Sequence, residues 1–307
     1  MHIQQPQFQL AFLHPRYWGT WFSVALLYGI SWLPYPLQMG MGKGIGRLFF
    51  RLLKSRRKVA ERNLELAFPN MTETERQRLL RANFDNAGMA LFEAGMGWWW
   101  PQWRLRKHGK ITGLEHIQRI QKQGKGILAI AIHNMNIELN CTILGLQQPS
   151  VVFYRMHNNP LMEYFQFRGR SRANKYMIHK KGVREMIQAL NDGEVCAYLP
   201  DQDYGPRRCE FVPFFGVKKT ATTTGTLLFA KQADCETVFL LPLRTDKGYE
   251  IRVLPGLENF PSGDDRADLI RLNGQIEKMV LEAPEQYLWM HKRFKTRPPE
   301  EPQSLYQ

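Results

Sequence analysis

Cysteine is scarce in this chain: four in 307 residues, at positions 141, 196, 209 and 235. They form no C-x-x-C pair and no zinc spacing, so a disulfide scaffold and a zinc module are both excluded, and the thiols read as reduced and mostly buried in a cytosolic compartment. Acidic residues are also few, 28 Asp and Glu against 42 Lys and Arg, which leaves a formal net charge of +14. That excess calls for an acidic partner: nucleic acid, an anionic membrane or an acidic protein. Nothing repeats with a period of 20–50 residues and no tract is of low complexity, so solenoids and disordered tails are set aside. A G-x-G-x-x-G loop is missing too. The glycines at 40, 42, 44 and 46 have the wrong spacing and no buried strand before them, so a dinucleotide site is rejected.

The longest gap in charge lies between Arg16 and Lys43, where no Asp, Glu, Lys or Arg occurs and aromatics recur at Tyr17, Trp18, Trp21, Phe22, Tyr28, Trp32 and Tyr35. Crossing a bilayer takes about 20 apolar residues, so the stretch is long enough, but Pro34 and Pro36 predict that its helix ends near Leu33. No small-residue cleavage site follows, which argues against a removed signal peptide. Residues 1–42 are therefore expected to form an N-terminal membrane anchor, with a helix buried in the core as the plainer alternative. Lys43 to Arg62 then carries eight basic residues and one Glu, with Ile45, Leu48, Phe49, Leu52 and Leu53 at helical spacing. This predicts a basic amphipathic helix over 43–62 on an anionic headgroup layer, and it favours a membrane over nucleic acid as the partner. The positive flank places this side in the cytoplasm if the preceding segment spans. Residues 43–307 form the rest of the chain.

Asn70 to Glu75 reads as a turn and a capping box, Thr72 with Glu75, opening a helix to about Met96 that stops at Trp98-Trp99-Trp100-Pro101. From residue 111 onward, strand and helix patterns alternate. Strands are predicted at 127–132, 150–155, 176–179, 195–199, 237–243 and 249–254, and helices at 136–145, 160–170, 183–191, 223–232 and 265–283. The fold class is α/β, a mainly parallel sheet with helices on both faces.

Six apolar residues, Ile127 to Ile132, make a strand buried on both faces, and it ends at His133. Glu138 follows five positions later. On one helix these two would lie about 140° apart and never meet. A strand ending at His133 and a helix capped by Asn134 or Asn136 would let Glu138 fold back onto the imidazole, freeing the other ring nitrogen to take a proton from a hydroxyl. No serine or cysteine adjoins this base, so the hydroxyl belongs to a substrate. No second His or Cys stands at ligand spacing, and no metal is expected. The bland reading is a hydrogen-bonded core histidine and a solvated glutamate. Arg155, Asp201 and Asp203 stand at or near other strand ends, where open α/β sheets bind ligands, and the cluster Arg168, Arg170, Arg172 and Lys175 suits phosphate or carboxylate groups or is a solvated basic helix end. Each alone suits an ordinary surface ion pair.

These residues resemble a known family. His133 and Glu138 match the His-(four residues)-acid motif shared with glycerol-phosphate acyltransferases. Longer stretches resemble the late acyltransferases of lipid A biosynthesis in Gram-negative bacteria: Leu13 to Trp18, Arg62 to Leu66, Tyr154-Arg155 with Asn159-Pro160, Asp201 to Pro206, Phe211 to Phe215, Thr222 to Thr226, Ala283 to Tyr287, and Phe294 to Pro298. The resemblance covers nearly the whole chain. It implies an inner-membrane enzyme facing the cytoplasm that moves an acyl chain from acyl carrier protein to a 3-hydroxyacyl hydroxyl on a Kdo-bearing lipid A precursor. No cofactor or metal is implied. His133 would be the base and Glu138 its orienting partner, with Arg155, Arg170, Asp201 and Asp203 holding the acceptor headgroup. Two rivals stay open: a glycerolipid acyltransferase with the same dyad, and a basic peripheral membrane protein without chemistry.

Overall fold

The computed structural model describes residues 2–306. The chain opens with two short 3-10 turns and the helices α1 (Trp18–Ser31), α2 (Tyr35–Leu52), α3 (Lys54–Ala67), α4 (Glu73–Trp99) and α5 (Gln102–His108). Then β1 (Gly109–Thr112), α6 (Leu114–Gln121), β2 (Gly126–Ala131), α7 (Ile137–Gly145), β3 (Ser150–Tyr154), α8 (Pro160–Ser171), β4 (Asn174–His179), α9 (Val183–Asn191) and β5 (Val195–Tyr198) follow. The chain continues through β6 (Cys209–Phe214), β7 (Val217–Thr223), α10 (Gly225–Gln232), β8 (Cys235–Thr245), β9 (Gly248–Pro255) and α11 (Asp265–Leu281).

Seven strands form one sheet in the order β1-β9-β8-β2-β5-β3-β4, and β6 pairs with β7 in a separate hairpin. Every pairing in the large sheet is parallel except β8 with β9. The predicted α/β class with a mainly parallel sheet is what the chain adopts. All six residues of β2 are buried. Because side chains alternate along a strand, Leu128, Ile130 and Ile132 pack with α3, α9, α10 and α11, while Ile127, Ala129 and Ala131 pack with α4, α5, α6 and α7. Helices thus cover both faces of the central strand.

Three observations bear on the N-terminal expectation, and the basic helix is the part they correct. Among the described residues no helix is long and apolar enough to cross a membrane. The basic stretch is two helices rather than one, because the chain breaks at Leu53, whose φ of −87° and ψ of 55° are not helical. The boundary at 42/43 falls inside α2. Gly42 and Gly46 of that helix have a packing role: a Cβ on Gly88 of α4 would lie 2.1 Å from the Gly42 carbonyl oxygen and 2.3 Å from the Gly46 nitrogen. Only bare backbone lets α2 and α4 approach so closely. The turn between α1 and α2 is fixed by Trp100 and Arg104. Trp100 Nε1 donates to Ser31 O at 2.6 Å, and Arg104 donates to Ser31 O at 3.1 Å and to Leu33 O. Of the four cysteines only Cys196 is fully buried, the others being partly exposed.

Candidate active site

Strands β2 and β5 lie parallel with Ile127 opposite Val195 and Ile130 opposite Tyr198. Carrying that offset past the strand ends brings His133 level with Asp201. Two hydrogen bonds join them: the His133 backbone N–H donates to one carboxylate oxygen of Asp201 at 2.8 Å, and Nδ1 lies 2.6 Å from the other. Burial pushes the Asp201 carboxyl up, but the charge and hydrogen bonds of His133 more than offset it and hold it below its ordinary value. An ionised carboxylate only accepts, so the proton of this contact belongs to Nδ1 and the lone pair of the neutral ring sits on Nε2. The Asp201 side chain is fully buried, whereas a quarter of the imidazole is open to solvent. His133 therefore keeps one ring nitrogen without a protein partner among the described residues, on an imidazole partly open to solvent.

The loop carrying the histidine is held from behind by the segment 284–297, a strap that crosses the ends of β2, β5 and β8. Leu288 N–H donates to His133 O at 3.0 Å, Met135 N–H to Gln286 O at 2.8 Å, and the Tyr287 hydroxyl to Asp201 O at 3.1 Å. Gln286 Oε1 accepts from Asn136 Nδ2 at 2.9 Å and from the Arg244 backbone at 2.8 Å, and Asn134 Nδ2 donates to Pro242 O at 2.7 Å. Arg293 is 2% exposed and stacks over the Phe214 ring at 4.7 Å. Its Nη1 donates to Ala221 O at 2.8 Å, while Nε and Nη2 find no partner among the described residues. His291 is pushed below its ordinary value by burial and then by the nearness of His133. The spacing argument found none of Gln286, Tyr287, His291 or Arg293. Gln286 and Tyr287 lie in a stretch that resembles the family, and His291 and Arg293 follow it in the same tail.

Glu138 is placed differently from the expectation. Asn136 makes no side-chain cap and α7 starts at Ile137, so the glutamate leaves the first turn toward α4 and α8. Its carboxylate accepts from Arg170 Nε at 2.9 and 3.1 Å, from Arg170 Nη2 at 2.7 Å and from Trp98 Nε1 at 2.9 Å, and it makes no hydrogen bond to His133. Burial raises the Glu138 carboxyl, and Arg170 with Trp98 outweighs that and lowers it. Arg170 in turn lies over the Tyr154 ring at 5.5 Å. Cys141, beside this pair, is pushed up to about 12 by burial and by the Glu138 charge.

The four residues expected to grip an acceptor separate in the structure. Asp201 is the partner of the imidazole and is closed to any ligand. Asp203 accepts from Thr296 N–H at 2.6 Å and Thr296 Oγ1 at 2.8 Å, tying down the strap. Arg170 holds Glu138. Arg155, at the end of β3, is exposed and has no hydrogen bond or ion pair among the described residues. Arg172, one of the basic cluster, donates to the carbonyls of Gly97, Trp98 and Trp100 at the end of α4, the usual place for a cation on a helix.

The model of the bacterial lipid A biosynthesis acyltransferases matches residues 5–296. The chain belongs to that family. It is 44% identical to the lipid A biosynthesis lauroyltransferase of Escherichia coli (strain K12), over 95% of this chain and 96% of that one. To the palmitoleoyltransferase of the same organism it is 42% identical, over 98% and 99%. To the myristoyltransferase of that organism it is 31% identical, over 96% and 93%. In this lipid A acyltransferase Asp201 rather than Glu138 lies against the His133 ring.

Proposed function

We propose that the protein moves a fatty acyl chain from an acyl carrier protein thioester to the hydroxyl of a 3-hydroxyacyl chain on a Kdo-bearing lipid A precursor, at the cytoplasmic face of the inner membrane. The observation that carries this reading is the open Nε2 of an imidazole whose Nδ1 is locked on a buried carboxylate. In the reaction, Nε2 takes the hydroxyl proton as the oxygen attacks the thioester carbonyl. The C–O bond forms, the C–S bond breaks, and the imidazolium returns its proton to the departing thiolate. Asp201 stabilises the imidazolium and fixes its tautomer. Glu138, Arg170 and Trp98 build the adjoining wall, and Arg155 is the cation free to meet the oxyanion or the acceptor headgroup. An acidic carrier suits the basic surface and would be steered to it. Because Arg172 is held by α4, the docking arginine proposed for the carrier is Arg168, which is exposed.

The test is mass spectrometry of the product after incubation with a lipid A precursor and a panel of carrier thioesters of C12 to C16 chains. The expected product is heavier by one acyl group. His133→Ala should remain folded and lose at least about two orders of magnitude in turnover, the usual size of a lost general base. A folded His133→Ala protein of near-normal activity would sink the mechanism.

A further inference from the structure

The N-terminal segment is tied to the catalytic sheet before α1 begins. His2 forms an antiparallel bridge with Ile178 of the edge strand β4 and stacks on Tyr176 at 3.8 Å. Ile3 N–H donates to Met177 O at 3.0 Å. Phe12 and Tyr17 are buried against Leu161 of α8. Asn159 Nδ2 donates to Thr20 Oγ1 at 2.9 Å. The far end of α1 is fixed as well, through Ser31 to Trp100 and Arg104, and α2 returns along α4. Both ends of α1 therefore lie on the side of the membrane that holds the sheet. With 14 residues, α1 is about 21 Å long, against roughly 30 Å of hydrocarbon to cross.

The outer face of this hairpin is apolar. Trp18, Phe22 and Leu26, spaced i, i+4 and i+8, are 63%, 71% and 53% exposed, and α2 continues the surface with Leu37, Met41, Leu48 and Leu52. An exposed apolar surface of this extent on a helix pair marks a lipid or partner contact. The charge beside it selects lipid: Lys43, Arg47, Arg51 and Lys54 are all exposed, and α2 holds no acidic residue. A basic rim around an apolar face is the pattern of a helix at an anionic headgroup layer.

We infer that the α1–α2 hairpin lies in the plane of a single leaflet, its Trp18–Phe22–Leu26 row among the acyl chains and its basic residues at the headgroups, and does not cross the bilayer. This rests on the membrane reading above and goes further in fixing the topology. Its consequence is that residues 2–17, α2 and the active site share one side.

The experiment uses sealed inside-out inner-membrane vesicles from cells making full-length Gln5→Cys or Glu115→Cys protein, both positions being exposed. An impermeant maleimide is added outside, and labelled peptides are identified by mass spectrometry, so the native cysteines stay in place. Equal labelling of both sites without detergent is expected. Labelling at Gln5→Cys only after detergent, with Glu115→Cys labelled at once, would show a spanning helix and overturn the inference alone. Recovery of the protein in the soluble fraction would overturn the membrane reading with it. In a second arm, Phe22→Asp should weaken binding to phosphatidylethanolamine/phosphatidylglycerol vesicles by about tenfold or more and keep its turnover of detergent-dispersed acceptor. Unchanged vesicle binding would refute the apolar row as the inserted face.

Discussion

The hairpin at the start of the chain and the strap at its end both lie outside the sheet, and they are built in opposite ways. The hairpin meets α4 through Gly42 and Gly46, packs Met39 and Ile45 inward, and leaves Trp18, Phe22, Leu26 and Leu52 exposed. The strap turns Tyr287, Trp289 and Phe294 inward, all 3% exposed or less, and gives its backbone and polar atoms to the site. One region holds itself to the body by close backbone packing and leaves a row of large apolar side chains exposed. The other buries its hydrophobic face in order to hold a few polar atoms still. The strap is densely hydrogen-bonded, yet Arg293 Nε and Nη2 and His291 Nδ1 stay buried without a partner among the described residues, so it holds its polar atoms at a cost.

Three changes sharpen this contrast. The largest effect is expected from Asp201→Asn, which keeps the shape and removes the charge that sets the imidazole tautomer. Turnover should fall by about a hundredfold or more while the circular dichroism spectrum stays native. A loss under about threefold would show that the Asp201 charge does not set the state of the imidazole in the reaction. Next comes Gly88→Ala in the hairpin contact, where the new methyl would meet backbone at 2.1 Å. Overpacking of this kind costs about 1–3 kcal/mol, to be read from denaturant unfolding, and an unchanged midpoint would mean that the two helices separate freely. The smallest effect is one of pH. The Asp201 carboxyl is held below its ordinary value, since the His133 contacts outweigh burial. The stability it adds is thus present above the unfolded carboxylate value, near pH 4, and is lost as pH falls through the lower folded value. The gap in unfolding free energy between wild type and Asp201→Asn should be level from pH 7 to 5 and narrow below about pH 4. A gap that stays constant down to pH 3 would contradict an ionised Asp201.

Much of this architecture could be read before any coordinates. Apolar runs located β2 and β5 to within a residue or two, because strands buried on both faces need continuous hydrophobic sequence. The Thr72–Glu75 capping box opens α4 with both of its reciprocal hydrogen bonds. The hairpin of β6 and β7 was missed, as were β1 and α6, all of them short. The partner of the histidine was missed for a different reason. Local spacing pointed to Glu138, five residues away, whereas Asp201 is 68 residues away and is brought in by the pairing of β2 with β5. Nothing in the spacing of either loop encodes that neighbour relation. Likewise the partners of Glu138, Arg170 and Trp98, are 32 and 40 residues distant. Both carboxylates stood out in the sequence, and only the sheet order distributes them between base and wall.

The glycine crossing of α2 on α4 also has a mechanical side. A backbone-to-backbone contact has no side chains to shear, so it transmits displacement with little slack. Gly88 sits ten residues before Trp98, about 15 Å along the same unbroken helix. Trp98 touches Glu138. The hairpin contact and the Trp98–Glu138 contact thus hang on one continuous helix. If the hairpin lies in a leaflet as inferred above, α4 is the element that links its position to Glu138 and Arg170.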